Sequence, residues 1–346
     1  MTALVLRSVH GLRTGARGVL SVWVLILLIP LALALLDTAN VADILLIAAE
    51  AFAGTLPYIA AAVVLIAWLK ASGATALVAR TFDGRETRMI VLAALLGGLA
   101  PFCSCEVIPL IAGLLAIGVP LSAIMAFWLS SPLIDPSSML ITAGALGWGF
   151  AAGKAVAAVA LGLFGGFGVR LLVSRGAFAE PLRPGAVGGC CGTSSGLDEG
   201  ETVWRFWREP ARRAAFRSEG VANARFLVKW LALAYLIEGL LVTYVPAEMI
   251  AGVVGGDGLG PVVMGALVGA PAYLNGYAAP ALVAGLMEQG MSPGAAMAFM
   301  VAGSVSCIPA MVAVWSIVRR QVFAAYLCFG IAGAILSGLL FAALAP

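Results

Sequence analysis

The sequence predicts an all-α integral membrane protein: a polytopic helical bundle with two inverted repeats, each containing a broken or re-entrant helical hairpin. Three observations predict it. Apolar residues make up 62% of the 346 and charged residues 11%, against roughly 45–50% and about 25% in soluble domains. Several apolar stretches reach the roughly 20 residues that cross a bilayer. The second half of the chain also repeats features of the first at an offset of 172 residues. Such a composition excludes a soluble globular enzyme, a disordered chain and a nucleic-acid binder. The net charge of +3 says nothing about polyanionic partners.

Taken in order, Arg7, Arg13 and Arg17 precede an apolar run from Val19 to Leu36. No small-residue cleavage site follows, so the run reads as a retained first helix. The apolar segments after it are roughly 44–69, 89–118, 120–141, 144–173, 226–246, 261–287, 293–318 and 322–345. If every one crossed the membrane, the arginine-rich stretch 174–225 would lie opposite the N-terminus, against the positive-inside rule. The conflict disappears if 89–118 enters from the cytoplasm, breaks at Pro101-Phe102-Cys103-Ser104-Cys105 and returns. Segment 261–287 does the same from outside, near Pro271-Ala272-Tyr273-Leu274-Asn275-Gly276. All but one of the 20 Lys and Arg residues then face the cytoplasm, Lys154 being the exception. Seven crossings and two hairpins result, with the N-terminus inside and the C-terminus outside. The organisation is an N-terminal segment and first helix (1–43), repeat 1 (44–173), a cytoplasmic loop (174–225) and repeat 2 (226–346).

The offset of 172 places Gly97 on Gly269, Gly113 on Gly285, Gly118 on Gly290 and Met125-Ala126-Phe127 on Met297-Ala298-Phe299. Hairpins entering from opposite sides make the repeats inverted. Broken helices meeting near the midplane of an inverted repeat form a secondary transporter's binding site, so the repeat itself points to transport. Irregular backbone at membrane depth must line a pathway or be buried in protein.

The strongest local signal is Pro101-Phe102-Cys103-Ser104-Cys105-Glu106-Val107-Ile108-Pro109. A proline on each side prevents a regular helix, which leaves two thiols and a carboxylate on irregular backbone. Thiolate is a soft ligand for Cu(I), Zn(II) and other thiophilic centres, so Cys103 and Cys105 are the candidate substrate or metal ligands. A buried cysteine that only fills space is the alternative. Asn275 aligns with Cys103 in the second hairpin. Cys307, in Ser304-Val305-Ser306-Cys307-Ile308-Pro309, aligns with Asp135 and is the candidate third thiol, expected to approach the opposite repeat's hairpin; a core cysteine is the alternative. Glu50, Glu106, Asp135 and Glu238 lie in apolar surroundings, where carboxylates mark ion or substrate paths. They are candidates for coupling protonation, with hydrogen bonding to hairpin backbone as the alternative. Glu50 and Glu238 precede Pro57 and Pro246 by seven and eight residues and read as symmetry mates. Lys154 is assigned no role.

In the loop, vicinal Cys190 and Cys191 among glycines read as accessory capture of a soft metal or as plain linker. Trp204, Phe206 and Trp207, interspersed with Arg205, Arg208, Arg212 and Arg213, suit an amphipathic helix on the anionic inner leaflet. His10 is the only histidine, so histidine-based metal sites and Ser-His-Asp triads are excluded. No P-loop appears, and no cofactor is expected.

The run "PFCSCEVIPLIAGLLAIGVPLSAIMAFWLSSPLIDP" resembles the signature of the predicted permease family that includes the bacterial organoarsenical efflux permeases, ArsP. The resemblance covers most of the chain, and Phe-Cys-Ser-Cys is fairly specific to it. It implies a bacterial inner-membrane exporter of trivalent organoarsenicals acting through membrane cysteines, by position Cys103 and Cys105. A related branch is linked to copper and zinc export. Glu106 departs from the small or neutral residue found in many relatives.

The expectation is therefore a permease and not an enzyme: a proton-coupled secondary exporter of thiophilic species such as trivalent organoarsenicals. An exporter of Cu- or Zn-type ions or a transporter of a sulfur-containing small molecule is the alternative. A membrane thiol–disulfide oxidoreductase ranks lower, because redox pairs favour Cys-x-x-Cys. The expected partners are a small thiophilic substrate or metal ion and the lipid bilayer, with self-association allowed and no nucleic acid.

Overall fold

The structure is a computed structural model that describes residues 22–73, 85–99, 111, 114–115, 118–134, 136–178, 180–183, 203–244, 252–256, 258–271, 279–306, 311, 314–315 and 317–344. The described residues are helical with no sheet, as the composition requires. Chain order gives α1 (Val22–Leu36), α2 (Val41–Ser72), α3 (Glu86–Leu99), α4 (Leu121–Ser130), α5 (Pro136–Leu146) and α6 (Trp148–Ser174), then α7 (Pro210–Tyr244), α8 (Leu259–Gly269), α9 (Ala279–Glu288), α10 (Pro293–Val305) and α11 (Arg320–Leu344). Among the described residues, α6, α7 and α11 are each long and apolar enough to cross a bilayer. On α1, Leu27, Leu31, Leu35 and Leu36 are all exposed, a continuous apolar surface that suits lipid and not water.

The offset seen in the sequence reappears in the packing. Adding 172 carries α3 onto α8, α4 onto α10 and α6 onto α11, and carries α2 onto the last part of α7. Within each half the three corresponding helices pack on one another: α3, α4 and α6 in the first, α8, α10 and α11 in the second. Their close approaches match residue for residue. A Cβ on Gly97 would collide with the Phe127 carbonyl, and one on Gly269 with the Phe299 carbonyl. Gly166 abuts Ile90, Ala126 and Ser122, while Gly338 abuts the corresponding Val262, Ala298 and Gly294. Small residues drive such contacts in membranes, where burying apolar surface against a neighbour instead of lipid gains little. Gly118 and Gly290 both turn with φ near +90° (+89° and +99°), a conformation that favours glycine.

Corresponding helices also meet each other, and they run antiparallel. Along α2 and α7 the contacts pair Ile44 with Gly239, Ala67 with Gly220, and Lys70 with Glu219. Along α6 and α11, Gly153 meets Phe341, Leu161 meets Gly333, and Gly168 meets Phe329. Leu161 and Gly333 are themselves 172 apart, so these two helices cross at equivalent positions.

Three features depart from the sequence reading. Segment 120–141 does not form one straight crossing. After α4 the chain makes a 3-10 turn, Ser131–Leu133, and Leu121–Leu133 meets Ser138–Leu146 at a bend of 52°. Pro132 and Pro136 each remove an N–H donor from the helical ladder, which explains the break. Segment 293–318 is likewise interrupted: α10 ends at Val305 and Ser306 leaves the helix. The charged stretch after residue 201 does not lie as a separate surface helix. It forms a 3-10 turn, Phe206–Arg208, and the opening turns of α7, which starts at Pro210. At 35 residues and 1.5 Å per residue, α7 is about 52 Å long, well beyond the roughly 30 Å hydrocarbon core.

That extra length is fixed against the C-terminal end of α2. Arg212 is buried and donates to Glu209 at 2.7 Å and to the Ala71 carbonyl at 3.1 Å. Lys70 pairs with Glu219 at 2.6 Å. The Val203 N–H donates to the Ser72 carbonyl at 2.9 Å, and Trp204 lies against Trp68 with ring centroids 5.3 Å apart. Carbonyls at the end of a helix have no intrahelical donor, so Arg212 and Val203 supply them.

Candidate functional site

Polar groups inside an apolar bundle are costly unless paired, so the buried ones define where chemistry is available. One group lies between α2 and α7. The Tyr235 hydroxyl donates to Thr55 Oγ1 at 2.9 Å, and the Thr55 hydroxyl is 3.1 Å from the carbonyls of Ala51 and Phe52. Two residues further along α2, Pro57 leaves the Ala53 carbonyl without its usual donor. Glu238 follows Tyr235 by three residues, close to one turn of α7. Its side chain is buried, and Oε2 has no hydrogen-bond partner among the described residues. An unsatisfied buried oxygen costs roughly 1–3 kcal/mol, more when charged. A carboxylate retained at that cost is a group available for protonation.

A second group joins α5 and α6. Lys154 is 1% exposed. Its Nζ lies 2.8 Å from Ser138 Oγ and 3.5 Å from Thr142 Oγ1. A lysine at mid-membrane costs about 2.5–3.5 kcal/mol on insertion scales, so this pairing is an organised feature. The sequence reading gave Lys154 no role; the signal that could have found it is the lone cation on an otherwise apolar span.

The two broken spans converge on the helices that flank the hairpins. The 3-10 turn at Ser131–Leu133 packs against α3 of its own half and α10 of the other. Gly98, next to the last residue of α3, faces Ile134. In the second half, Ser306 places its hydroxyl 3.1 Å from the Ala270 carbonyl at the end of α8. Gly98 with Ile134 and Ala270 with Ser306 are again 172 apart. The residue before Cys307 thus rests at the entry of its own half's hairpin, whereas the sequence reading aims Cys307 at the opposite one.

Glu50 is exposed on α2 while Glu238 is buried. In the register that superposes the helices, Glu50 corresponds to Ala222 and Glu238 to Ile66. They are not symmetry mates, because the spacing to a nearby proline does not set the helix register. α8 ends at Gly269 and the chain turns at Ala270 and Pro271, where the sequence places the second break. Cys103, Cys105, Glu106, Asp135, Cys190, Cys191, Asn275 and Cys307 lie outside the described residues. Of the six cysteines, Cys328 is the described one; it is free and exposed on α11. Among the described residues, no three His, Cys, Asp or Glu side chains gather as a metal site.

Comparison with known proteins decides the family. The family model described as "Predicted permease" (ArsP_1) matches residues 40–343. The chain belongs to this permease family. It is 34% identical over 92 residues to the UPF0718 protein YcgR of Bacillus subtilis, covering 27% of this chain and 31% of that protein. Over 82 residues it is 31% identical to the UPF0718 protein YraQ of Escherichia coli, covering 24% of each. The UPF0718 protein MJ0584 of Methanocaldococcus jannaschii is 22% identical over 314 residues, 76% of this chain and 86% of that protein. The aligned stretches therefore span about a third or less of the first two relatives. No solved structure matches the chain. The permease family and the apolar helices together make this a membrane transport protein.

Proposed function

We propose that this permease is a proton-coupled secondary exporter of thiophilic species, trivalent organoarsenicals first among them, in the bacterial inner membrane. The observation that carries the reading is Cys103-Ser104-Cys105-Glu106 between two prolines, in the connection from α3 to α4. In this reading Cys103 and Cys105 bind substrate, with Cys307 and Asn275 lining the same path. The antiparallel packing of helices 172 residues apart supports an inverted repeat, in which each half presents its break to one centre. Glu238, with a buried carboxylate oxygen unmatched by any described donor, supports proton coupling; Glu106, Asp135 and Glu50 are the other candidate pathway carboxylates. Cys190 and Cys191 serve as accessory capture on the cytoplasmic side, the side to which the N-terminus and the loop 174–225 are assigned.

Export of Cu(I) or Zn(II) is the second reading, favoured by the carboxylate of Glu106 beside the thiol pair and by Cys190-Cys191. Uptake into everted membrane vesicles separates the two. Trivalent methylarsenical, arsenite and Cu(I) are compared with and without a proton gradient, for the intact chain and a Cys103→Ser/Cys105→Ser variant. Gradient-driven methylarsenical uptake that the variant loses is the expected result. Uptake of Cu(I) alone moves the assignment to metal ions, and uptake of none of the three overturns the arsenical reading.

A further inference from the structure

Lys154 and Tyr326 occupy equivalent positions on α6 and α11, 172 residues apart, and both are fully buried. Each fastens the last helix of its half to the broken span that precedes it. The Tyr326 hydroxyl donates to the Val305 carbonyl at the end of α10, and its ring stacks on Trp128 of α4 at 4.6 Å. Lys154 reaches instead to the far limb of the first broken span, α5, which also packs against α9 of the other half. The second half therefore uses a neutral phenol on a backbone carbonyl. The first uses an ammonium on two hydroxyls.

Those hydroxyls are four residues apart on α5, which is one helical turn and about 6 Å along its axis. The ammonium is engaged with Ser138 at 2.8 Å and only approaches Thr142 at 3.5 Å. The Thr142 hydroxyl donates to the Ser138 carbonyl at 2.7 Å, which leaves its lone pairs free to accept. A slide of α5 along α6 by one turn exchanges one acceptor for the next, and the charge keeps a hydrogen-bond partner at both ends of the movement. One-turn ratchets of this kind are an established form of switching between packed helices.

We propose that Lys154 is a positioning residue of the transport cycle, with Ser138 and Thr142 as its two alternative docking points. Their exchange moves α5 against α9 between the two access states. The proposal rests on the permease reading for its role in transport, but the fastening itself is testable without a substrate.

The test uses the full chain in lipid nanodiscs and reads amide hydrogen exchange over residues 136–146. Lys154→Met is expected to speed exchange there at least tenfold, and Ser138→Ala several-fold, with α3 and α10 unchanged. Thr142→Val leaves resting exchange unaltered, because the Ser138 contact remains. In vesicles, Thr142→Val is expected to lower the maximal uptake rate at least tenfold with KM within threefold, and Lys154→Arg to retain more uptake than Lys154→Met. Unchanged exchange in both Lys154→Met and Ser138→Ala overturns the fastening, and undiminished uptake by Thr142→Val overturns the second docking point. If the intact chain moves none of the probes, the assigned substrates fail while the exchange result still decides on Lys154.

Discussion

Replacing Gly97 or Gly269 by alanine adds a methyl group where two helices touch backbone to backbone. At Gly97 the new Cβ lies 2.6 Å from the Phe127 carbonyl oxygen, whereas ordinary contact begins near 3.4 Å. α3 and α4 must therefore separate by about 0.8 Å, and no side-chain rotamer can absorb the strain because the obstacle is a carbonyl. Overpacking of this kind costs about 1–3 kcal/mol, and the rigid neighbour argues for the upper part, about 2–3 kcal/mol. At roughly 2–4 °C per kcal/mol for a domain of 150–250 residues, the unfolding midpoint falls by roughly 4–12 °C. Gly269→Ala meets the equivalent Phe299 carbonyl and must cost a similar amount. Gly144 on α5 has nothing within 4 Å of its Cβ position, so Gly144→Ala is neutral or gains up to about 1 kcal/mol of helix propensity. The assay is thermal unfolding of the purified protein in one detergent, all three variants side by side. If Gly97→Ala and Gly269→Ala unfold within about 1 °C of Gly144→Ala, the matched close approaches are not what holds the halves together. If only one of the pair is damaging, the two halves are not packed equivalently.

Three further outcomes follow from the polar contacts. Arg212→Ala strips the Ala71 carbonyl of its buried donor, which costs about 1–3 kcal/mol and is read as a lower unfolding midpoint; Arg213→Ala, on an exposed neighbour, leaves it unchanged. Glu238→Gln removes the charge at the unmatched oxygen while keeping the shape, so the fold is retained or stabilised. In vesicles it abolishes the response of uptake to a proton gradient, and gradient-driven uptake at the intact rate refutes the coupling role. Asp37, in the turn between α1 and α2, accepts hydrogen bonds from Asn40 Nδ2 at 2.8 Å and the Tyr244 hydroxyl at 2.7 Å, and these hold its carboxyl below the usual value of 3.8. Its folded-state value is depressed, so the stability it lends is full above about pH 4 and is lost as pH falls through the lower folded-state value. Asp37→Asn should flatten that acid-side loss in a pH series of unfolding midpoints.

Much of this arrangement is legible in the sequence because membrane helices announce themselves by length and apolarity, and because a duplicated half preserves its glycines. The pairs Gly97 with Gly269 and Gly118 with Gly290 mark the register from sequence alone, and the structure gives each pair the same surroundings. The bend after Leu133 was less visible. Pro132 and Pro136 sit in an unbroken apolar run, and hydropathy does not register a missing N–H. The start of α7 was hidden for the opposite reason: its first turns are polar, held by Arg212 and Glu219 against α2, so composition reads them as loop. Glu50 and Glu238 look paired by their distance from a proline, but burial depends on which face of the helix meets a neighbour. Lys154 drew no interest because its partners, Ser138 and Thr142, are ordinary residues until folding brings them to one ammonium. The thiols that carry the strongest chemical signal lie where the sequence alone speaks.

The connection between the halves is pinned at each flank. On one side the Arg183 N–H donates to the Ile317 carbonyl and the Arg319 N–H to the Pro181 carbonyl; on the other, Val203 is bonded to Ser72. Every described contact between the halves is made by helices outside the span 184–202: α2 on α7, α6 on α11, α5 on α9. A chain severed within that span therefore loses none of these contacts, only the high local concentration that a covalent link provides. Two fragments made in the same cell have the surfaces needed to find each other. The link's remaining service is arithmetic, since it guarantees one copy of each half and keeps either half from pairing with itself.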